Sequence, residues 1–564
     1  MALQLVAQKL STLVLLPLVC VAGQALDQHV TIRVATQLVE ISAVVTDRSG
    51  NPVADLAPPD FEIYDRGKKQ EIKVFQLEDH RRTHGNQPRT QTLPGPAPGV
   101  VSNRLPAGPD SRNAATVIVI DVGNSWSEGE MAWQDLVYAR DQLAQFLRQL
   151  HPEDQLGIYL MGRRRFWILH EYNQPCADIV ERLATWKTPT EAPGAAKASD
   201  VWTEFAIHFA HIDEQTAKEI HKDEFWYRLE DIFPRAIHIP PEQDESMNAL
   251  VAAAQHLGAV AGRKNIILIS SKLALPPASF QSEVAALHSV IGEAVAVYTI
   301  DPGGVAPYTL DASFVIPSSV TAFGGGAPRV HQYIADAEQI KRQRIIRLQT
   351  TLRALAEDTG GKAFLNNDVA GAIQGAFDDS RVTYTLGFYS DAPRDGSFHP
   401  IRVKVRRERT NVRCRAGYFA PRPPQEDQAS RESRLRRAVW SPLDASGIEL
   451  SATLAPGNGP GAYDLKLTLG LSNIDLQPVG DRWSGRIEVK VFSRDNSDTA
   501  HEALSEVWGL NLRQENFEKM LKSGLEYSRT VILDPKTDSV RMIVQDLNGD
   551  GLGTLTIRIP KAEH

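Results

Sequence analysis

Cysteine is nearly missing, at three residues in 564. So sparse a set excludes a disulfide-stapled scaffold, and the fold must stand on hydrophobic cores. An excess of one charge is missing too: 61 Lys and Arg face 69 Asp and Glu, for a net charge of −8. No global field draws such a chain to nucleic acid or to an anionic membrane, so recognition has to be local. Familiar catalytic signatures are absent as well. There is no Gly-x-Ser-x-Gly elbow, no Walker loop, no paired Cys/His nucleophile and no His-Glu-x-x-His zinc helix. "GGVAP" and "FGGGAP" are glycine-rich but lack the strand-loop-helix setting that cradles phosphate. The expectation is a chain that is not an enzyme and carries no cofactor.

What is present is an ordinary globular composition, 42% hydrophobic and 23% charged. The length is too great for one core and suggests three or four units of about 100–200 residues. The N-terminus, "MALQLVAQKLSTLVLLPLVCVAGQALDQHV", sets Lys9 before an apolar run from Leu10 to Ala22, with Gly23 and Ala25 following. That run is short for a membrane span and has the layout of a secretory signal peptide over residues 1–25. A lipid-modified Cys20 and an uncleaved anchor are the alternatives. The expected destination is the periplasm, the cell surface or the medium. Export leaves Cys176 and Cys414, read as two separate thiols in preference to one bridge.

Three textures follow. Residues 26–78 form a small β module, alternating apolar and polar positions around the turn signals Ser49-Gly50-Asn51 and Asp65-Arg66-Gly67. Residues 79–113, with "LPGPAPG" and "LPAGPDS", read as a linker. From Ala114 to residue 380, strands such as "ATVIVID" and "KNIILISS" alternate with helical stretches such as "WQDLVYARDQLAQFLRQL". This predicts an α/β, Rossmann-type, largely parallel sheet with helices on both faces, its ligands at the carboxyl ends of strands. Asp121 and Asp301 stand at two such ends. Residues 381–420 supply more strands, expected to complete one β-sandwich with 26–78, because a unit of about 50 residues buries too little apolar surface alone. A linker at 421–441 leads to a β-sandwich-like domain at 442–564.

"TVIVIDVGNS", "PEDQLGIYLM", "GRKNIILISS", "VAVYTIDPGG", "ALAEDTGGKAFLNND" and "VTYTLGFYSDAPRDGSFHPIRVKVRRERTNVRCRAGYFAP" together resemble the acidobacterial-type branch of von Willebrand factor A (VWA)-like domain proteins. "VVTDRSGNPVADLAPPDFEIYDRGKKQEIKVF" is similar to that family's N-terminal module. The resemblance implies a VWA-like domain over 114–380, flanked by the β-sandwich modules, that binds a protein partner through a metal at the top of the sheet. It also implies a function in protein–protein interaction or adhesion in the cell envelope. In the family motif, Asp-x-Ser-x-Ser is joined by a Thr and a second Asp, oxygen ligands suited to Mg²⁺. Here Asp121 and Ser125 match, Gly123 replaces the first Ser, and Ser271, beside Lys272, stands where the second Asp is expected. Ser246 is the best candidate for the Thr. The set is a degenerate site that admits Mg²⁺ only weakly, and the bland reading has Asp121 and Asn124 bonding to the backbone of the turn. The alternative functions are an envelope enzyme, such as a metal-assisted hydrolase near Asp121 and Asp301, and a purely structural surface subunit.

Two insertions, 188–245 and 302–332, depart from a minimal VWA domain and are natural binding loops. The former carries His208, His211 and His221 at no recognised zinc spacing, and reads as a solvated amphipathic pair of helices. Near the C-terminus, Asp546, Asn548 and Asp550 have the spacing of a calcium loop's first ligands, but Ile557 stands where the bidentate Glu belongs, so a hairpin turn is favoured over a Ca²⁺ site. Finally, "IRVKVRRERTNVRCR" places Arg402, Lys404 and Arg406 on one strand face. Without interleaved aromatics it reads as a solvated sheet face, with a site for an acidic polymer as the alternative.

Overall fold

The computed structural model describes residues 37–79, 99–104, 114–121, 130–150, 154–162, 165–174, 176, 179, 237–238, 245–260, 262–270, 295–302, 326–366, 368–393, 395–420, 428–495, 499–549 and 551–559. The expected signal peptide, most of both insertions, Gly123, Ser125, Ser271, Lys272 and Asp550 lie outside this set. Among the described residues, 24 strands stand against six α-helices, and four of the five sheets are wholly antiparallel. The α/β, Rossmann-type class expected for the chain is thus corrected to a predominantly β protein of sandwich type. The physical reason is local: outside residues 114–380 several paired strands follow one another through short turns, which permit only antiparallel neighbours, and the two α-helices described there, Gln428–Trp440 and Gln514–Ser523, link strands of different sheets.

The first sandwich interleaves two distant stretches of chain. Strand Gln37–Asp47 pairs with Val382–Ser390, placing Ile41 opposite Leu386, and Val74–Asp79 pairs with the other edge of Val382–Ser390. In the facing sheet Phe61–Asp65 pairs with Phe398–Val405, Ile63 opposite Val403. Val39, Ile41, Ala43 and Val45 alternate into the core with Phe61, Ile63, Tyr384, Leu386 and Val403. The Phe61 and Tyr384 rings lie 5.0 Å apart, and the Tyr384 hydroxyl donates to Val53 O at 2.9 Å. Arg66 and Gly67, with φ of 50° and 80°, make the two-residue turn between Phe61–Asp65 and Lys68–Gln70, where both central residues need positive φ.

The middle unit holds a seven-stranded sheet. Leu156–Gly162, Ala115–Asp121, Lys264–Ile269, Val295–Ile300 and Ala363–Phe364 run parallel in that order, while Arg165–His170 and Ile237–His238 extend it antiparallel beyond Leu156–Gly162. Ala115–Asp121 is buried along its whole length, as a central parallel strand covered on both faces must be. Helices Glu130–Leu147 and Val369–Arg381 contribute to the core on one face, Glu245–His256 and Gly326–Thr359 to that on the other. Two expectations are corrected here: Ile237–His238 is a strand inside the 188–245 insertion, which was read as a pair of helices, and helix Gly326–Thr359 begins inside the 302–332 insertion, which was read as a loop. This long helix ends at Gly360-Gly361. A Cβ on Gly361 would lie 2.0 Å from Val297 O, so the chain can pass the sheet there only as glycine.

The C-terminal sandwich packs Leu450–Pro456, Ala462–Leu469 and Leu525–Ile532 against Arg482–Arg494, Ser539–Asp546 and Leu552–Arg558 around Leu465, Leu467, Ile487, Val489 and Met542. Both expected linkers are corrected in part. Val101–Ser102 pairs with Ser451 and Ala452, and Asn103, 2% exposed, donates to the Ala445 and Ile448 carbonyls and accepts from the Leu450 N–H. Helix Gln428–Trp440 occupies most of 421–441.

Candidate functional site

Three neighbouring parallel strands end in polar side chains. Ala115–Asp121 closes on Asp121, Lys264–Ile269 is followed by Ser270, and Val295–Ile300 is followed by Asp301. All three are nearly inaccessible, at 1%, 1% and 3% exposure. The Ser270 hydroxyl donates to Asp121 Oδ2 at 2.9 Å, and Gln349 of the long helix reaches Asp301 Oδ2 at 3.5 Å. The strand after Ala115–Asp121 lies on one side of it, and Lys264–Ile269, reached later in the chain, lies on the other. The Ser270–Asp121 hydrogen bond therefore spans the switch point of the sheet, the position where open parallel sheets leave a crevice for ligands.

Of the residues expected here, Asp121 and Asp301 come to the same end of the sheet, and Ser246 falls in the first turn of Glu245–His256 with its side chain outside the described set. Ser270 and Gln349 were missed. Ser270 directly follows the apolar run Ile266–Ile269 and precedes Ser271, so the strand register alone decides which serine faces Asp121. Of the residues expected to ligate a divalent ion, Asp121 accepts a Ser270 hydrogen bond on Oδ2, and the described residues contain no group of three His, Cys, Asp or Glu able to hold a metal. In the C-terminal hairpin, Asp546 Oδ2 accepts from the Asp475 N–H at 2.6 Å and Oδ1 from the Asn548 N–H at 2.9 Å. Oδ1 thus serves the backbone of the hairpin turn, and Oδ2 ties that turn to the segment at Asp475. Burial raises the Asp546 pKa against these amides, which lower it.

Two other polar clusters are built for packing. Ser397 Oγ meets His399 Nε2 at 2.9 Å, and His399 Nδ1 meets the Tyr418 hydroxyl at 3.2 Å. Tyr418 and Ser390 donate in turn to Asp65 Oδ2. His399 is 3% exposed and Asp65 1%, so the hydroxyls solvate one oxygen of a buried carboxylate inside the first sandwich, with Arg66 Nε 3.8 Å from the same oxygen. The other cluster joins the middle unit to the C-terminal one. His256 Nδ1 faces the Asp444 carbonyl at 2.8 Å, and Nε2 faces Glu171 Oε2 at 3.2 Å, with the Tyr159 hydroxyl donating to the same Glu171 oxygen. A carbonyl only accepts, so an ionised Glu171 leaves His256 as an imidazolium with both N–H groups engaged. Burial pulls its pKa down, but the Glu171 charge, its hydrogen bond and Asp444 outweigh burial, and the net shift is upward. The raised value means that stability is fully present below pH 6.5, the ordinary His value, and is lost as the pH climbs through the folded-state pKa. Denaturant midpoints of the full chain across neutral to alkaline pH are expected to fall more steeply for the native protein than for His256→Gln. Parallel slopes would remove His256 from the joint.

No family model matches the chain, and no curated protein matches it by sequence. Among solved structures, the TFIIH p34 N-terminal domain is similar at 16% identity and a TM-score of 0.18, over 46% of this chain and 95% of that one. A von Willebrand factor type A protein from Catenulispora acidiphila follows at 10% and 0.20, over 87% and 75%. The pilus adhesin SpaC from Lactobacillus rhamnosus GG stands at 9% and 0.19, over 88% and 57%. A VWA domain is thus a weak structural neighbour, with nothing in the comparisons specific to the acidobacterial branch. Scores this low carry no functional argument. No helix among the described residues is long and apolar enough to cross a membrane.

Proposed function

We propose that the chain is an exported, non-enzymatic interaction protein that holds a protein partner over the strand ends at Asp121, Ser270 and Asp301, as in adhesion at the cell envelope. One observation carries this reading: the Ser270–Asp121 hydrogen bond lies across the switch point of the parallel strands, with Asp301 one strand away. The insertions at 188–245 and 302–332 interrupt the chain between elements of the same unit and are the segments this reading assigns to partner contact. A protein partner then needs no bridging metal. Titration of the full chain with Mg²⁺ and Mn²⁺ is expected to give no micromolar site at Asp121, and capture of a partner from envelope extract is expected to survive a chelator. Micromolar binding abolished by Asp121→Ala, or capture lost with the chelator, overturns the reading. Deleting either insertion should weaken capture, and full capture after both deletions would reject the surface.

A further inference from the structure

We propose that the outer face of the strand Phe398–Val405, in the first sandwich, binds an acidic, uronate-bearing polysaccharide. Phe398, Pro400, Arg402 and Lys404 point outward while His399, Ile401 and Val403 are buried. Register places Tyr64 beside Arg402 and Phe419 beside Phe398. The aromatic neighbours absent along the strand in sequence thus arrive from adjoining strands. An open hollow of about 510 Å³ lies over this face, lined by Tyr64, Gly67, Pro400, Ile401, Arg402 and Lys404.

Charge decides the class of ligand. The carboxylates of the face are already committed: Glu62 pairs with Lys69 at 2.7 Å and Arg406 at 3.0 Å, and Asp391 pairs with Arg66 and Lys68, both at 3.0 Å. Hydrogen bonds from Lys69, Arg406 and Tyr64 hold Glu62 down at about 2, so it stays charged and engaged. Arg402 and Lys404 have no carboxylate partner among the described residues. Lys404 Nζ rests 5.1 Å over the Tyr64 ring, a contact that leaves its positive charge uncompensated. Two exposed cations about 7 Å apart along the strand fit a polymer with repeated anions, and the Arg402 fork suits a carboxylate.

The remaining surface favours a glycan over other polyanions. Backbone hydrogen bonds join Phe398–Val405 to Phe61–Asp65 and to Gly417–Phe419, so a ligand on the face meets side chains and cannot pair as an added β-strand. Lys404 occupies the Tyr64 face that a nucleobase would need for stacking. A sugar chain requires neither. Its carboxylates meet Arg402 and Lys404, its hydroxyls meet the polar rim, and its C–H faces meet Pro400 and the open floor at Gly67.

The surface is separate from the strand-end site, so the two readings stand or fall independently. Calorimetric titration of the full chain with oligogalacturonate tests it, against a neutral glucan of equal length, poly-glutamate and polyphosphate. Saturable binding of oligogalacturonate alone is expected, weakening with salt. Its Kd should rise at least about tenfold, or about 1.4 kcal/mol, in Arg402→Ala/Lys404→Ala and in the corresponding double Gln variant. Both changed side chains are exposed, so the variants should melt with the native chain. Arg529→Ala, in the other sandwich, should bind normally. Absent binding, equal binding of neutral glucan, poly-glutamate or polyphosphate, or unchanged affinity in both double variants overturns the assignment.

Discussion

Arg541→Ala is expected to cost the C-terminal sandwich about 3–4 kcal/mol, the lower part of the usual cost of breaking a buried ion pair from one side, because the Asp444 side chain is 24% exposed. Arg541 is 0% exposed, and its guanidinium is fully used. Nε donates to Ala438 O; Nη1 donates to Asp444 Oδ1 and Thr556 Oγ1; Nη2 donates to Leu443 O and Thr554 Oγ1. Burial lowers the Arg541 pKa, and the Asp444 carboxylate opposes that shift. Truncation leaves Asp444 without its cation, two carbonyls short of a donor, and a void under the connector 441–449 between helix Gln428–Trp440 and strand Leu450–Pro456. Since the Asp444 carbonyl also meets His256, the loss should reach the joint with the middle unit. Hydrogen exchange over Ser539–Asp546 and around His256 reads both effects. Arg541→Met restores most of the volume and should still lose the greater part, because the donors and not the packing are missing. A loss below about 1 kcal/mol in both variants, the scale of an exposed pair, would show that the connector is held by something else.

Legibility in the sequence followed the range of the interactions. Strand ends set by local pattern were readable: the apolar run before Asp121 and the Asp65-Arg66-Gly67 turn both need only neighbouring residues. The β modules on both sides of residues 114–380 were readable from their alternating pattern; the overall class was misread because the parallel unit was given the name of the whole, although antiparallel strands make up four of the five sheets. Val101 and Asn103 sit in a Pro- and Gly-rich stretch whose composition signals a linker, yet Asn103 satisfies three backbone groups about 340 residues away, with separations of 342, 345 and 347. No local pattern encodes that. At the strand ends, Asp121 was found from its position, whereas Ser270 required the register. On the basic strand, Arg402 and Lys404 were visible, but Tyr64, some 340 residues earlier, becomes their neighbour only through the pairing of sheet strands, where Arg402 faces Tyr64.

At the opposite end of the parallel strands, Asp379→Ala should loosen the first sandwich from the middle unit. Arg263 Nη1 donates to Ser42 Oγ of the first sandwich at 3.0 Å, and Nη2 donates to the Tyr298 hydroxyl at 2.9 Å. Tyr298 donates onward to Asp379 Oδ2 at 2.9 Å, and Arg413 Nη2, again from the first sandwich, reaches both Asp379 oxygens at 2.7 Å. Asp379 is therefore the single anion between two arginines linked through a tyrosine. Burial, with the nearby Asp379 charge, pushes the Tyr298 hydroxyl up to about 12 against the arginines, so it stays protonated and able to donate. Arg413 is pulled down by burial but raised on balance by Asp379. Removing the carboxylate leaves two cations facing one hydroxyl; with the Arg413 side chain 27% exposed, solvent offsets part of the loss. About 2–4 kcal/mol is expected, somewhat below a fully buried pair. Asp379→Asn keeps the volume and one acceptor and should lose less. The decisive measurement is a double-mutant cycle with Arg413→Ala by denaturant unfolding of the full chain, since members of one network couple by about 0.5–3 kcal/mol whereas independent sites add. Additive losses would mean that Arg413 and Asp379 stabilise their own units separately, and that the direct chain junction at Arg381 and Val382, not this network, holds the sandwich against the sheet.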